Sequence, residues 1–555
     1  MKNNLLVFLC ISCFTYVTGQ QNVGIGILSP LGKLHIKGSA NASQLIIDAY
    51  STQGNTNPLI KPRSSGGNDL LWIHSDTSLN TFMGLNAGRV NNAPGGGIYN
   101  IFLGRDAGYS NTTGSHNIVI SPNSFFSNVS GSNNTAFGFH SLYENTNGNS
   151  NIAIGVSTLY SNSTGSNNTA IGLEALSFND AGSNATAVGT GAMLYSNSTT
   201  TPFTNSNVAV GYESLRGSLN ATFNVGNYNT AIGYQTLRNN TSGYDNTAHG
   251  NNSLYSNTTG DENTAIGSKA LYSNTGGLFN TAVGSDALHF NNGNSNTAIG
   301  KESLISNTNG NYNTATGAQA LNDNLSGDYN SATGINALRS NTMGAYNSVF
   351  GEYAVFYNTI GNTNTAVGAA ALYNNVAGSN ATAIGSYAMF FSNNTTNSFI
   401  NYNVAVGYEA LKGSANPSAN TGNLNTALGY QSLVDNTEGD NNTATGYVSL
   451  QNNTSGNSNT ASGYGALNTN TTGNNNSAFG RSAYFDVGTL ANTTCIGYSA
   501  GGVVDASNRI EIGNTSVGTI AGQVSFTTYS DRRIKDNIQE DVPGISFINK
   551  LRPVT

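Results

Sequence analysis

Cutting a glycosidic bond takes two carboxyl groups held across it, so the acidic side chains are the first place to look for chemistry. Glu213, Asp286, Glu302, Glu352 and Glu409 are scattered along the chain. Two of them share one local text: Asn207-Val208-Ala209-Val210-Gly211-Tyr212-Glu213 returns as Asn403-Val404-Ala405-Val406-Gly407-Tyr408-Glu409. A carboxylate and its own copy do not make an acid and a base. The six histidines lie in unrelated contexts without metal-ligand spacing, so neither a metal nor a cofactor is expected. Cys495 occupies a slot that neighbouring segments fill with Ala, which reads as a buried, inert thiol.

Those slots belong to a repeat of 17 residues, G-x-x-[A/S]-L-x-x-N-x-x-G-x-x-N-T-A-h, where h is usually apolar. Its opening glycines run Gly233, Gly250, Gly267, Gly284, Gly300, Gly317, Gly334, Gly351, Gly368 and Gly385, with one step of 16 residues at Gly284. Backwards the slot holds Gly211, Gly189, Gly172, Gly155, Gly138, Ser121 and Gly104; forwards it holds Gly407, Gly429, Gly446, Gly463, Gly480, Gly497 and Gly513. That makes 24 coils, with a degenerate candidate at Gly84. A unit this short cannot bury a core alone and must stack on its neighbours. Four steps are 22 residues long, in two pairs 196 residues apart, so a block of coils has been duplicated in tandem.

Each coil reads as β structure. Asn-Thr-Ala-Ile-Gly is a short strand with a Gly stop, a second apolar pair such as Ala270-Leu271 suggests another strand, and Asn, Thr, Ser and Gly supply the turns between them. No apolar stripe has helical period. Ala two residues before the anchor Gly (Ala231, Ala248, Ala265, Ala282, Ala298, Ala315) marks a close approach of backbones. Leu four residues after it (Leu237, Leu254, Leu271) supplies core bulk, each worth ~1.5–3 kcal/mol when buried. Asn seven residues after it (Asn240, Asn257, Asn274, Asn307) is placed for an amide ladder. The fold class expected is all-β, a parallel β-roll or β-solenoid of about 24 coils with period 17.

Charged residues make up 8% of the chain and the net charge is −7, which gives no basis for nucleic-acid binding. Residues 1–19 read as a signal peptide: Lys2, an apolar run from Leu5 to Val17, then small residues before Gln20. Cys10 and Cys13 fall inside it, and the apolar run before Cys10 is too short for a lipoprotein box. No later apolar run is long enough to span a membrane. An exported chain, secreted or held at the cell surface, is expected. The acidic calcium repeat of exported β-rolls is absent.

The coil resembles the head repeats of trimeric autotransporter adhesins, with Asn229-Thr230-Ala231-Ile232-Gly233 and its copies carrying the match. That resemblance implies a homotrimer. Asn22-Val23-Gly24-Ile25-Gly26, with Pro30 and Lys33-Leu34-His35-Ile36, looks like the opening of fibre proteins of Bacteroidetes-type bacteria. Near the end, Asn508-Arg509-Ile510-Glu511-Ile512-Gly513, then Gly522-Gln523-Val524, Ser530-Asp531-Arg532-Arg533-Ile534-Lys535-Asp536-Asn537-Ile538 and Leu551-Arg552-Pro553-Val554 resemble the start of the peptidase S74 domain, the intramolecular chaperone of endosialidase tailspikes. The resemblance implies a Ser–Lys dyad that cuts the domain free, with Ser530 as nucleophile and Lys535 as general base. The chain ends about 25 residues into that pattern, so the activity is expected to be silent in this form.

The expected organisation is a signal peptide (1–19), an N-terminal β region (20–83), the repeats (84–513), and a neck with the truncated start of the chaperone (514–555). The function read from this is a structural or adhesive fibre, adhesin-like or tail-fibre-like, with a glycan or protein of a host or cell surface as its target. A polysaccharide-binding or polysaccharide-degrading tailspike is the alternative. An ice-binding solenoid is the third reading, prompted by the row Thr230, Thr247, Thr264, Thr281, Thr297 and Thr314. The residue two positions on is Ile, His or Val as often as Thr, and Thr is a good strand residue in any case.

Overall fold

The computed structural model describes residues 23–25, 34–36, 47, 58–484, 488–501 and 506–523. Its body is a parallel β-solenoid. Twenty-five strands of three or four residues, from Thr81–Met83 to Arg509–Ile512, pair one coil to the next in a single line. Register follows the repeat slot by slot: Thr230 opposes Thr247, Ala231 opposes Ala248, and Ile232 opposes His249. The coil at Gly84 is therefore a regular one, with Phe82 in the slot that later coils give to Ala. Ahead of it, Ile73–His74 pairs antiparallel with Thr81–Met83 and closes that end of the ladder. A separate parallel pair joins Val23–Ile25 to Leu34–Ile36.

Most 17-residue coils hold one strand, where two were expected; the coils that lead to Gly189 and Gly385 add a two-residue strand, Gly182–Ser183 and Gly378–Ser379. The segment around the core Leu is bent by left-handed residues at alternate positions, such as Asn252 (φ 55°) and Leu254 (φ 50°), with a third at Asp245 (φ 53°). Left-handed backbone costs a residue with a side chain roughly 1–2 kcal/mol. Hydrogen bonds offset the cost, because the bends stack as regularly as the strands do. Leu254 N–H donates forward to Ala270 O at 3.0 Å, and Asn252 N–H donates backward to Tyr234 O at 2.9 Å. A coil inside the ladder is thus tied to both neighbours outside the strand as well as within it.

The anchor glycine is a steric necessity. Gly233 has φ +134°, and a Cβ there would lie 2.3 Å from Gly250 O of the next coil. Adjacent residues of a strand face opposite ways, so in Thr-Ala-Ile only the Ala points inward. Ala231 and its copies, and Leu237 and its copies, are fully buried in two parallel rows. In several coils where the first row changes, the second compensates. Phe82 and Phe102 fill the Ala slot, and Gly88 and Gly108 then fill the Leu slot; a Cβ at Gly108 would come within 2.7 Å of the Phe102 ring. Val349 is matched by Val355, and Cys495 by Gly501. These coils conserve core volume, as close packing favours, whereas Val119 stands with the larger Phe125.

Each pair of 22-residue steps adds surface loops and leaves a small polar cavity. The two cavities are copies, lined by Met193, Asn207 and Asn240 in one and by Met389, Asn403 and Asn436 in the other. At about 20 and 40 Å³ they have room for ordered water and nothing larger.

Candidate functional site

The dyad residues Ser530 and Lys535 lie outside the described residues, as do residues 1–19. Within the described residues, the groups singled out for chemistry are held in structural roles. Glu213 accepts from Arg238 Nε at 2.8 Å and from Gln235 Nε2 at 2.7 Å. Its copy Glu409 accepts from Lys412 Nζ at 2.7 Å and Gln431 Nε2 at 2.6 Å. Partial burial pushes both carboxyls up, but these donors and the neighbouring cations outweigh it and hold both below the usual carboxylate range. Both remain ionised at neutral pH, the wrong state for a general acid. Asp286 faces His289 Nδ1 at 3.0 Å, Glu302 accepts from Gln319 Nε2 at 2.7 Å, and Glu352 is exposed. No cluster of three His, Cys, Asp or Glu suited to a metal occurs among the described residues. Cys495 is fully buried, and burial with the Glu511 charge nearby pushes its thiol up to about 11, so at neutral pH it is protonated and sluggish.

One carboxyl stands apart. Burial, with a smaller push from the Glu144 charge, raises Asp180 to about 6. A folded-state pKa above the ordinary 3.8 stabilises the fold at acid pH and loses that contribution as pH rises through about 6. Asp180→Asn should therefore melt higher than the parent at pH 8 and converge with it below pH ~4. A melting-temperature difference that does not change with pH would contradict this.

The Asn row forms the expected ladder. Asn257 Nδ2 donates to Asn240 Oδ1 of the preceding coil at 2.8 Å and to Gly260 O in its own turn at 2.9 Å. A second ladder runs through the Asn that opens each strand. Asn246 donates from N–H (3.0 Å) and Nδ2 (3.1 Å) to Asn229 Oδ1, and from Nδ2 to Gly260 O at 2.8 Å. One turn carbonyl thus receives a bond from each ladder. The signal for the second was the recurrent Asn of the Asn-Thr-Ala segment, read in the sequence only as part of a strand; Ala185 and Ala381 take its place in two coils. Both rows are buried and out of reach of a ligand.

What a partner can touch is the outside of the coils. The strand face shows two columns. One is Thr or Ser interrupted by Ile101, Ile118, Ile152, Val208, Val404 and Ile510; the other is mostly apolar, with Ile232, Ile266, Ile299, Phe350, Val367 and Ile384 all exposed. Thr or Ser stands in both columns at only a few coils, as in Thr314-Ala315-Thr316 and Thr443-Ala444-Thr445. Elsewhere tyrosines stack rung over rung. Tyr312, Tyr329 and Tyr346 lie 4.9 and 5.0 Å apart with planes within 7°. A longer run begins at Tyr408 and passes through Tyr430, Tyr447 and Tyr464. Such ladders were not anticipated, because their rungs occupy slots whose residue type varies from coil to coil. Comparison of the chain with models of known protein families and with curated proteins gives no match.

Proposed function

We propose that this chain is the rod of a secreted or surface-displayed fibre, structural or adhesive in role, that works as a homotrimer. The observation that supports the reading is the ladder of 25 coils, whose buried inward slots, among the described residues, are filled almost throughout by stacking Ala, Leu and Asn. The apolar column on the strand face supports self-association. Exposed apolar strips of this length mark contact surfaces, and a parallel copy carries the same residues at the same spacing. With ~4.8 Å per coil the rod is on the order of 120 Å long. Small-angle scattering should give that length, and sedimentation should give three chains per particle. A monomer of that length would remove the trimer but keep the rod; a compact particle would remove both.

The Ser530–Lys535 pair belongs to the same proposal. In a chain continued through a complete chaperone domain, the domain gathers three copies and lowers the entropy cost of nucleating non-local parallel pairing; cleavage beside Ser530 then releases it. Ser530→Ala and Lys535→Ala should each leave that longer chain uncut and still trimeric. Normal processing of the Lys535→Ala chain would show that the dyad is assigned wrongly.

The polysaccharide-degrading alternative draws no support from Glu213 and Glu409, whose ion pairs keep them charged. Binding without cleavage is compatible with the rod.

A further inference from the structure

The tandem duplication supplies a built-in comparison of what the fold needs with what it merely carries. Across the 196-residue offset the inward slots agree: Ala231 with Ala427, Leu237 with Leu433, Asn240 with Asn436, Asn246 with Asn442. The backbone agrees too, with φ 136° at Gly250 and 133° at Gly446. The slot directly after the anchor Gly behaves differently. Tyr212 and Tyr234 match Tyr408 and Tyr430, but Asn251, Ser268 and Ser285 then stand opposite Tyr447, Tyr464 and Arg481. The first copy folds into the same coil with small polar residues there, so the aromatic run of the second copy is surplus to the fold.

That run is a continuous ridge along the rod. Ring centroids are 5.4 Å apart from Tyr408 to Tyr430, 4.9 Å from Tyr430 to Tyr447, and 5.1 Å from Tyr447 to Tyr464, with planes 16°, 7° and 5° apart. The Arg481 guanidinium takes the next rung, 5.4 Å from the Tyr464 ring and 5.8 Å from that of Tyr498. All five tyrosines are exposed.

We propose that this ridge is the binding site for a linear, neutral polysaccharide laid along the rod axis. The proposal rests on the adhesive-fibre reading and gives it a ligand class. Three features select that ligand. Rungs recur at the ~4.8 Å rise of the ladder, close to the advance of one pyranose along an extended glycan, so the ligand must itself be a periodic chain. The ring faces are stacked on one another, so each rung presents its edge and a phenol that both donates and accepts, which pairs with the hydroxyl and ring oxygens of a sugar. Charge along the ridge is slight: Arg481, exposed between two rings, is its one cation, and Glu409 is paired with Lys412 at 2.7 Å, which gives a polyanion a single contact.

The test is affinity electrophoresis of the whole chain through gels containing hydroxyethyl cellulose, glucomannan, arabinoxylan or a soluble linear β-glucan, with heparin as the polyanion. Retardation by at least one neutral polymer is expected. The double variant Tyr447→Asn with Tyr464→Ser installs the residues the first copy already tolerates, so it should keep the parent's melting temperature while binding about tenfold or more weakly. Tyr244→Ser, at an exposed tyrosine that stands in no ring stack among the described residues, should bind as the parent does. Three results would overturn the proposal: no retardation by any neutral polymer, retardation by heparin alone, or full binding by the double variant. None of them bears on rod length or trimer formation, which scattering and sedimentation decide separately.

Discussion

Ala298→Lys should open the solenoid where it sits and lower the melting temperature far more than any surface change. Ala298 is fully buried, in register with Ala282 on one side and Ala315 on the other. A lysine there must either bring an unpaired ammonium into the core or push the coils apart, and an unpaired buried charge costs several kcal/mol. Because a solenoid is stabilised coil by coil through nearest-neighbour contacts, hydrogen exchange should rise in the coils around Ala298 and fade towards the ends of the rod. A melting temperature within a degree or two of the parent would show that the slot is not the core. Volume can be tested separately from charge. Ala265→Phe alone overfills its coil and should cost about 1–3 kcal/mol or more. Adding Leu271→Gly copies the arrangement of Phe102 with Gly108 and should restore much of the loss, helped by the left-handed φ of 52° at Leu271 that glycine prefers.

The period made most of this legible. Once the chain must stack in register, a slot that most coils fill with Ala is a contact between coils, and a slot that most fill with Asn is a ladder; Ala231 and Asn257 could be placed with no structure in hand. Three features escaped for physical reasons. The Leu segment looked like a strand because Ala270-Leu271 is apolar, but left-handed backbone at Leu271 is decided by the tertiary hydrogen bonds of the bend and leaves no mark in residue type. The coil at Gly84 looked degenerate because Phe82 and Gly88 each break the pattern alone; only their sum keeps the volume constant. The tyrosine ridge was hidden because its slot is under no packing constraint. The same freedom lets it differ between the duplicated halves, and so separates function from scaffold.

The ladders carry the second large effect, and it depends on pH. Asn257 is fully buried and both ends of its amide are used: Nδ2 donates to Asn240 Oδ1 and Gly260 O, and Oδ1 accepts from Asn274 Nδ2 at 3.0 Å. Asn257→Asp keeps the shape and the acceptor but, once ionised, loses both donors and sets a negative oxygen against Asn240 Oδ1 and the Gly260 carbonyl. Each unsatisfied buried group costs ~1–3 kcal/mol, more where charge is involved. Protonation returns one donor, so the folded state holds that proton more tightly than the unfolded chain does. The sign follows from linkage: the variant is nearest to the parent below the ordinary carboxylate pKa of ~3.9 and falls behind as pH rises. The melting-temperature gap between parent and variant should therefore be small at pH 3 and widen steadily to pH 7.5, while Asn257→Leu, which has no group to titrate, should show a large gap at both. A gap for Asn257→Asp that stays constant or narrows with rising pH would mean that the amide row does not bear the load given to it here, and that backbone pairing alone holds the coils together.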